Sequence, residues 1–173
     1  MSPISSKVRL WAVTLLLIFA STGAMAQNQS GQAGAKIVPQ GSYGDWRHQC
    51  IEQSGGGKEC FISQFATSKE AQVRGLVTIL RSGKGYAARF EVPIGVYLPA
   101  GLALTVDGKD YGVAPFERCF PDRCIAFADL KNETINVLKS GKVATLIVHA
   151  APSQRIFLPI SLEGVTAAFR ALG

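Results

Sequence analysis

From Tyr43 onward the chain alternates apolar and polar residues with period two in short runs, the pattern of strands that turn one face to a core. In YAARFEV (86–92), Tyr86, Ala88, Phe90 and Val92 fall on one side and Arg89 and Glu91 on the other, which predicts a half-buried strand. DWRHQC (45–50) sets Trp46, His48 and Cys50 against Asp45, Arg47 and Gln49 in the same way. CFISQFA (60–66) and the run Val73 to Leu80 predict two further strands, the second apolar on both faces as a sandwich-core strand would be. In LALTVDGKDYGV (102–113), Leu102, Leu104 and Val106 point inward and Asp107-Gly108 has the chemistry of a tight type I′ turn. CIAFADL (124–130), VATLIVHA (143–150) and RIFLPI (155–160) complete the series, each short and rich in β-branched or aromatic residues. IGVYL (94–98), flanked by Pro93 and Pro99, is expected to switch sheets or run along an edge, because proline cannot donate to a ladder.

Two segments change period. LKNETINVLKSG (130–141) places Ile135 and Leu138 three apart, with Asn132 as the expected N-cap and Gly141 as the stop. SLEGVTAAFRAL (161–172) is expected to start on Ser161 as N-cap and to carry Leu162, Val165 and Phe169 on one stripe, a helix suited to packing across a sheet edge or open end. About seven or eight strands in one domain over 43–173 predict an all-β fold, a β-sandwich with a short internal helix and a C-terminal helix; a closed barrel is the alternative. Strand order does not follow from the pattern.

The N-terminus gives an address. Lys7 and Arg9 precede an apolar run, Leu10 to Ala20, and Ala24-Met25-Ala26 is the small-x-small pattern of signal peptidase, so residues 1–26 are read as a signal peptide cut between Ala26 and Gln27. The apolar run is roughly half the length that spans a bilayer, and no later stretch approaches it, so no transmembrane segment is expected in the mature chain. Residues 27–42, rich in Gln, Ser, Gly and Ala, are expected to form a flexible leader.

Export decides how the four cysteines are read. Cys50, Cys60, Cys119 and Cys124 would reach an oxidising compartment, which favours two disulfides; of the possible pairings, loop closure favours near neighbours, Cys50 with Cys60 across a Gly-rich turn and Cys119 with Cys124. Their spacings lack the C-x2-C knuckles of zinc sites, so no metal is expected. C-x4-C only loosely resembles a redox motif, although Arg118 and Arg123 beside it would favour a thiolate.

Catalytic groupings are sparse, and the chain is read as non-enzymatic, without cofactor. His48 and His149 sit inside alternating segments as core or edge histidines would, there is no G-x-S-x-G elbow, and SGKGY (82–86) lacks the glycine of a phosphate loop. Asp107, Asp110, Asp122 and Asp129 read as turn and loop residues. The net charge of +6, lowered by two when Lys7 and Arg9 leave with the signal, is scattered; it suits solubility or weak attraction to anionic surfaces and not nucleic-acid binding.

Four stretches then fall into order: YGDWRHQC, VPIGVYLPAGLALTVDG, PFERCFPDRCIA and LPISLEGVTAAFRAL. Together they resemble the invasion-associated locus B family of bacterial exported proteins. The likeness covers Gly44 to Leu172, with Pro93, Gly95, Leu98, Asp107 and Gly108 on one family segment; Arg123 and Val165 depart from it, standing where glycine and phenylalanine are common. The resemblance implies an immunoglobulin-like β-sandwich, a place in the periplasm, at the outer membrane or in the medium, and for some members a part in entry into host cells. It implies no catalytic residue. The expected function is contact with an unknown protein or an envelope or host-surface partner, with Tyr97, Tyr111 and Phe120 as candidate contact-loop residues; the alternative is a periplasmic small-ligand-binding or envelope-stress module with a pocket between the sheets.

Overall fold

The structure, a computed structural model, describes residues 35–173. The expected signal peptide, its cleavage site and the leader up to residue 34 lie outside the described residues. Strands β1 (Lys36–Tyr43), β2 (Trp46–Glu52), β3 (Lys58–Ser68), β4 (Val73–Ser82) and β5 (Gly85–Pro93) form an antiparallel meander. The chain then crosses, through a 3₁₀ turn at Leu98–Ala100, to β6 (Leu102–Val106) and β7 (Lys109–Ala114). It returns as β8 (Phe116–Cys119) and β9 (Arg123–Leu130), and helix α1 (Asn132–Ser140) leads to β10 (Val143–Ala151), β11 (Gln154–Ser161) and helix α2 (Val165–Leu172). The result is a sandwich-like pair of antiparallel sheets, a seven-stranded one in the order β1-β2-β3-β4-β5-β9-β8 and a four-stranded one in the order β11-β10-β6-β7.

The predicted alternation sets the layers. Trp46, Ile62, Val77, Ile79, Phe90 and Val92 of the larger sheet meet Leu102, Val106, Leu146, Val148, Leu158 and Ile160 of the smaller one in a single buried cluster. The indole Nε1–H of Trp46 and the amide of Gln64 both donate to the Ser161 carbonyl, at 3.0 and 3.1 Å, and tie β2 and β3 to the end of β11. Asp107 and Gly108 both take positive φ, 48° and 82°, as a type I′ turn requires. The proline-flanked 94–98 segment does switch sheets, as loop and 3₁₀ turn without strand pairing.

Helix α2 carries Val165 and Phe169 into the core beside Leu162, and the Phe169 ring meets Tyr86 edge to face at 5.1 Å. Its entry presses against the β1–β2 turn so closely that both sides need glycine: a Cβ on Gly164 (φ 80°) would lie 2.3 Å from the Tyr43 carbonyl oxygen, and one on Gly44 (φ 59°) 2.5 Å from that of Glu163.

Three local expectations are corrected. Residues 36–42, read as leader, form β1, which pairs along β2 and bulges between Pro39 and Gly41. The segment carries no alternation because it is an edge strand, exposed along most of its length. Lys131, with extended backbone, takes the N-cap place of α1 and Asn132 is already helical, without a side-chain cap bond. Ser161 ends β11: its Oγ accepts from the Glu163 N–H at 3.2 Å, and α2 starts only after Gly164.

Candidate functional site

Both cysteine pairs are disulfides between directly opposed residues: Cys50 faces Cys60 across β2 and β3, and Cys119 faces Cys124 across β8 and β9. Antiparallel register places the side chains of opposed residues on one face within bridging reach, so each bridge locks a hairpin already aligned by its ladder. The His48 ring lies with the Cys50 and Cys60 sulfurs inside 4.8 Å. Those sulfurs are bonded to each other, so the trio offers no thiolate set for a metal. His48 and His149 lie on different sheets, each half-buried.

The three candidate contact residues occupy separate settings. Tyr97 (37 % exposed) precedes the 3₁₀ turn, and its N–H donates to the His149 carbonyl at 2.7 Å. Phe120 (39 % exposed) tips the β8–β9 turn with the guanidinium groups of Arg118 and Arg123 at 5.7 and 5.2 Å from its ring centre. Tyr111 lies within β7 and packs half-buried on the core, so it is not a loop residue.

The main groove lies elsewhere. Between the sheets the space amounts to about 20 Å³, lined by Trp46, Val77, Phe90, Leu146 and their neighbours, too little for the inter-sheet ligand pocket considered from sequence. On the outer face of the larger sheet a groove of about 680 Å³ opens over β2, β3, β4 and β5 and reaches Pro159 and Ser161 of β11. None of Tyr97, Tyr111 and Phe120 lines it.

Register builds the groove in levels. Arg47 faces Ser63, Ser63 faces Thr78, and Thr78 faces Arg89, so one polar level crosses four strands. On one side the next level is Gln49, Phe61 and Leu80, followed by Ile51 and Glu59; on the other lie Phe65 and Leu76, with Asp45 at the rim. Arg74 covers Phe65 from beyond, its guanidinium 3.5 Å from the ring centre.

Although this level sits on an outer face, Ser63 and Thr78 are only 6 and 4 % exposed. The Thr78 Oγ1 and the Arg89 Nε are buried without a hydrogen-bond partner among the described residues. Arg89 turns one terminal nitrogen to Glu91 at 2.7 Å, and Glu91 also takes the Nε of Arg123 at 3.0 Å. Arg47 takes part in none of the ion pairs among the described residues. The level thus sets the exposed guanidinium of Arg47 beside buried, unsatisfied donors between two apolar shoulders.

A family model described as "Invasion associated locus B (IalB) protein" matches residues 46–173. The chain is similar to invasion protein B homologs of Brucella abortus strain 2308 and of Brucella abortus biovar 1 strain 9-941. Each is 27 % identical over 160 residues, spanning 91 % of this chain and 92 % of the relative. Among solved structures, that of invasion associated protein B from Bartonella henselae superposes with a TM-score of 0.66 at 25 % identity, covering 78 % of this chain and 94 % of the other.

Proposed function

The chain belongs to the invasion associated locus B family, and from that premise we propose that it is an exported, non-enzymatic envelope or secreted protein that acts by contacting another macromolecule. The groove on the outer face of the larger sheet is the proposed contact surface. The observation that carries this reading is the polar level Arg47, Ser63, Thr78 and Arg89, sunk between apolar shoulders with donors left unpaired. A sheet face that served only to be solvated would not hold buried, unpartnered donors beside half-buried leucine and phenylalanine.

Export is supported by the two disulfides, by the signal-peptide pattern in the first 26 residues, and by the described residues containing no helix long and apolar enough to cross a membrane. A part in host-cell association is proposed from the names of the relatives. Whether the site is the periplasm, the outer membrane or the medium is tested by fractionating cells and probing for the mature form.

Crosslinking and pull-down of the mature protein from envelope and host-membrane extracts tests the contact. The expected result is a partner retained by wild type and by variants at Tyr97 and Phe120, and lost by Arg47→Glu. Loss with the loop variants and retention by Arg47→Glu would move the contact surface to the loops that carry Tyr97 and Phe120. A small-molecule role would have to use the same groove, given the filled inter-sheet space, and a thermal-shift screen with envelope components separates it by a rise in melting temperature.

A further inference from the structure

Resting on that reading of the groove, we propose that its occupant is an extended peptide segment of a partner protein whose alternate residues run basic, apolar, acidic, apolar, with the acidic side chain seated over Arg47.

Spacing is the first argument. Residues two apart on a strand are about 6.6 to 6.8 Å apart, and the same repeat holds for any extended ligand lying parallel to the strands. The groove levels follow this repeat: Glu59 with Ile51, then Phe61 with Leu80, then Arg47 with Arg89, then Phe65 with Leu76. Side chains on one face of an extended segment therefore fall in step with the levels. A helical ligand would meet them out of phase, since its repeat along the axis is about 5.4 Å.

Charge order is the second. The Arg89 charge is already met by Glu91, which leaves Arg47 as the uncompensated cation of the central level among the described residues, beside the buried Thr78 Oγ1 and Arg89 Nε, which have no partner among them. The exposed guanidinium of Arg47 suits one carboxylate. Glu59 at one end and Asp45 at the rim of the other would repel a polyanion, so an anionic glycan or a bare anionic lipid surface does not fit the whole groove. A single-tailed acyl anion would cover one apolar shoulder and leave the other open to water, whereas a segment with apolar residues on both sides of its carboxylate covers both.

The test is fluorescence anisotropy of the disulfide-intact mature chain with a labelled peptide of about seven residues. It carries lysine, leucine, glutamate and leucine at alternate positions, with serine between them. A second peptide replaces the glutamate by glutamine, and dodecanoate is titrated separately. Saturable, salt-sensitive binding of the acidic peptide is expected, weakened about tenfold or more by the glutamine replacement and by Arg47→Glu. Should Arg47→Glu fail to fold, Arg47→Gln serves the same comparison.

Equal affinity for the two peptides, binding unaffected at Arg47, or no binding overturns the proposal, and tighter binding of dodecanoate than of the acidic peptide overturns it in favour of an acyl anion. A partner captured from extracts and lost with Arg47→Glu, while neither peptide binds, would retain the contact surface and overturn only this segment chemistry.

Discussion

The inner and outer faces of the larger sheet are made from alternate residues of the same strands, and they are finished in opposite ways. On β2, Trp46 is 2 % exposed and bonded to the Ser161 carbonyl, while Arg47 beside it stands at the surface outside every described ion pair. On β4, Val77 and Ile79 close onto the smaller sheet; between them Thr78 faces outward, is equally buried, and has no partner for its hydroxyl. The inner face is completed by this chain's own second sheet and by α2, whereas the outer face is shaped and desolvated without being covered by another element among the described residues. If stability belongs to the first and the proposed recognition to the second, substitutions at adjacent positions should separate the two properties.

The largest separation is expected at neighbouring residues 46 and 47. Trp46→Ala removes core volume and the bond that joins the sheets, and should cost about 3 to 5 kcal/mol in urea unfolding. Closing the inner face also depends on the glycine contact at the start of α2. Gly164→Ala, which forces a Cβ against the Tyr43 carbonyl at a positive φ, should cost about 3 kcal/mol by the same measurement. Replacing Cys50 and Cys60 together by serine should cost about 2 to 3 kcal/mol, and the shorter Cys119–Cys124 loop slightly less, read as the fall in melting temperature of each double variant.

Outer-face changes should be smaller and of the other sign. Thr78→Val exchanges a buried, unpaired hydroxyl for a methyl group and should stabilise the fold by up to about 1 kcal/mol. Arg47→Glu should leave stability within about 0.5 kcal/mol. A large loss of stability at Arg47, or at Thr78, would erase the distinction between the faces.

The inner face was legible in the sequence because burial on one side writes a period-two signal: Tyr86, Ala88, Phe90 and Val92 point as expected, and Val165 and Phe169 of α2 reach the core as expected, with Leu162 beside them just before the helix. The disulfide hairpins were legible too, since loop closure and register agree. Strand β1 was not, because an exposed edge leaves no such imprint, and Pro39 and Gly41 read as linker. The start of α2 was misplaced because Ser161 still belongs to β11, where its carbonyl serves Trp46 and Gln64 before any helix begins.

The groove was hidden by the same alternation that exposed the core. Phe61, Ser63 and Phe65 on β3 and Leu76, Thr78 and Leu80 on β4 repeat one motif, a polar residue between apolar residues two places away. That repeat was a usable signal. What the letters do not contain is the register that lays Ser63 against Thr78 and extends the level to Arg47 and Arg89, because pairing across strands is fixed by the whole sheet.

Methyl-resolved NMR of the mature protein, titrated with the acidic alternating peptide, tests the division of labour between the two faces most directly. Shifts are expected at Ile51, Leu76 and Leu80, while the methyl groups of Ile62, Val77 and Ile79, on the opposite face of the sheet, stay in place. Shifts confined to Ile94, Leu98 and Val113 near the 3₁₀ turn, or shared equally by both faces, would contradict it.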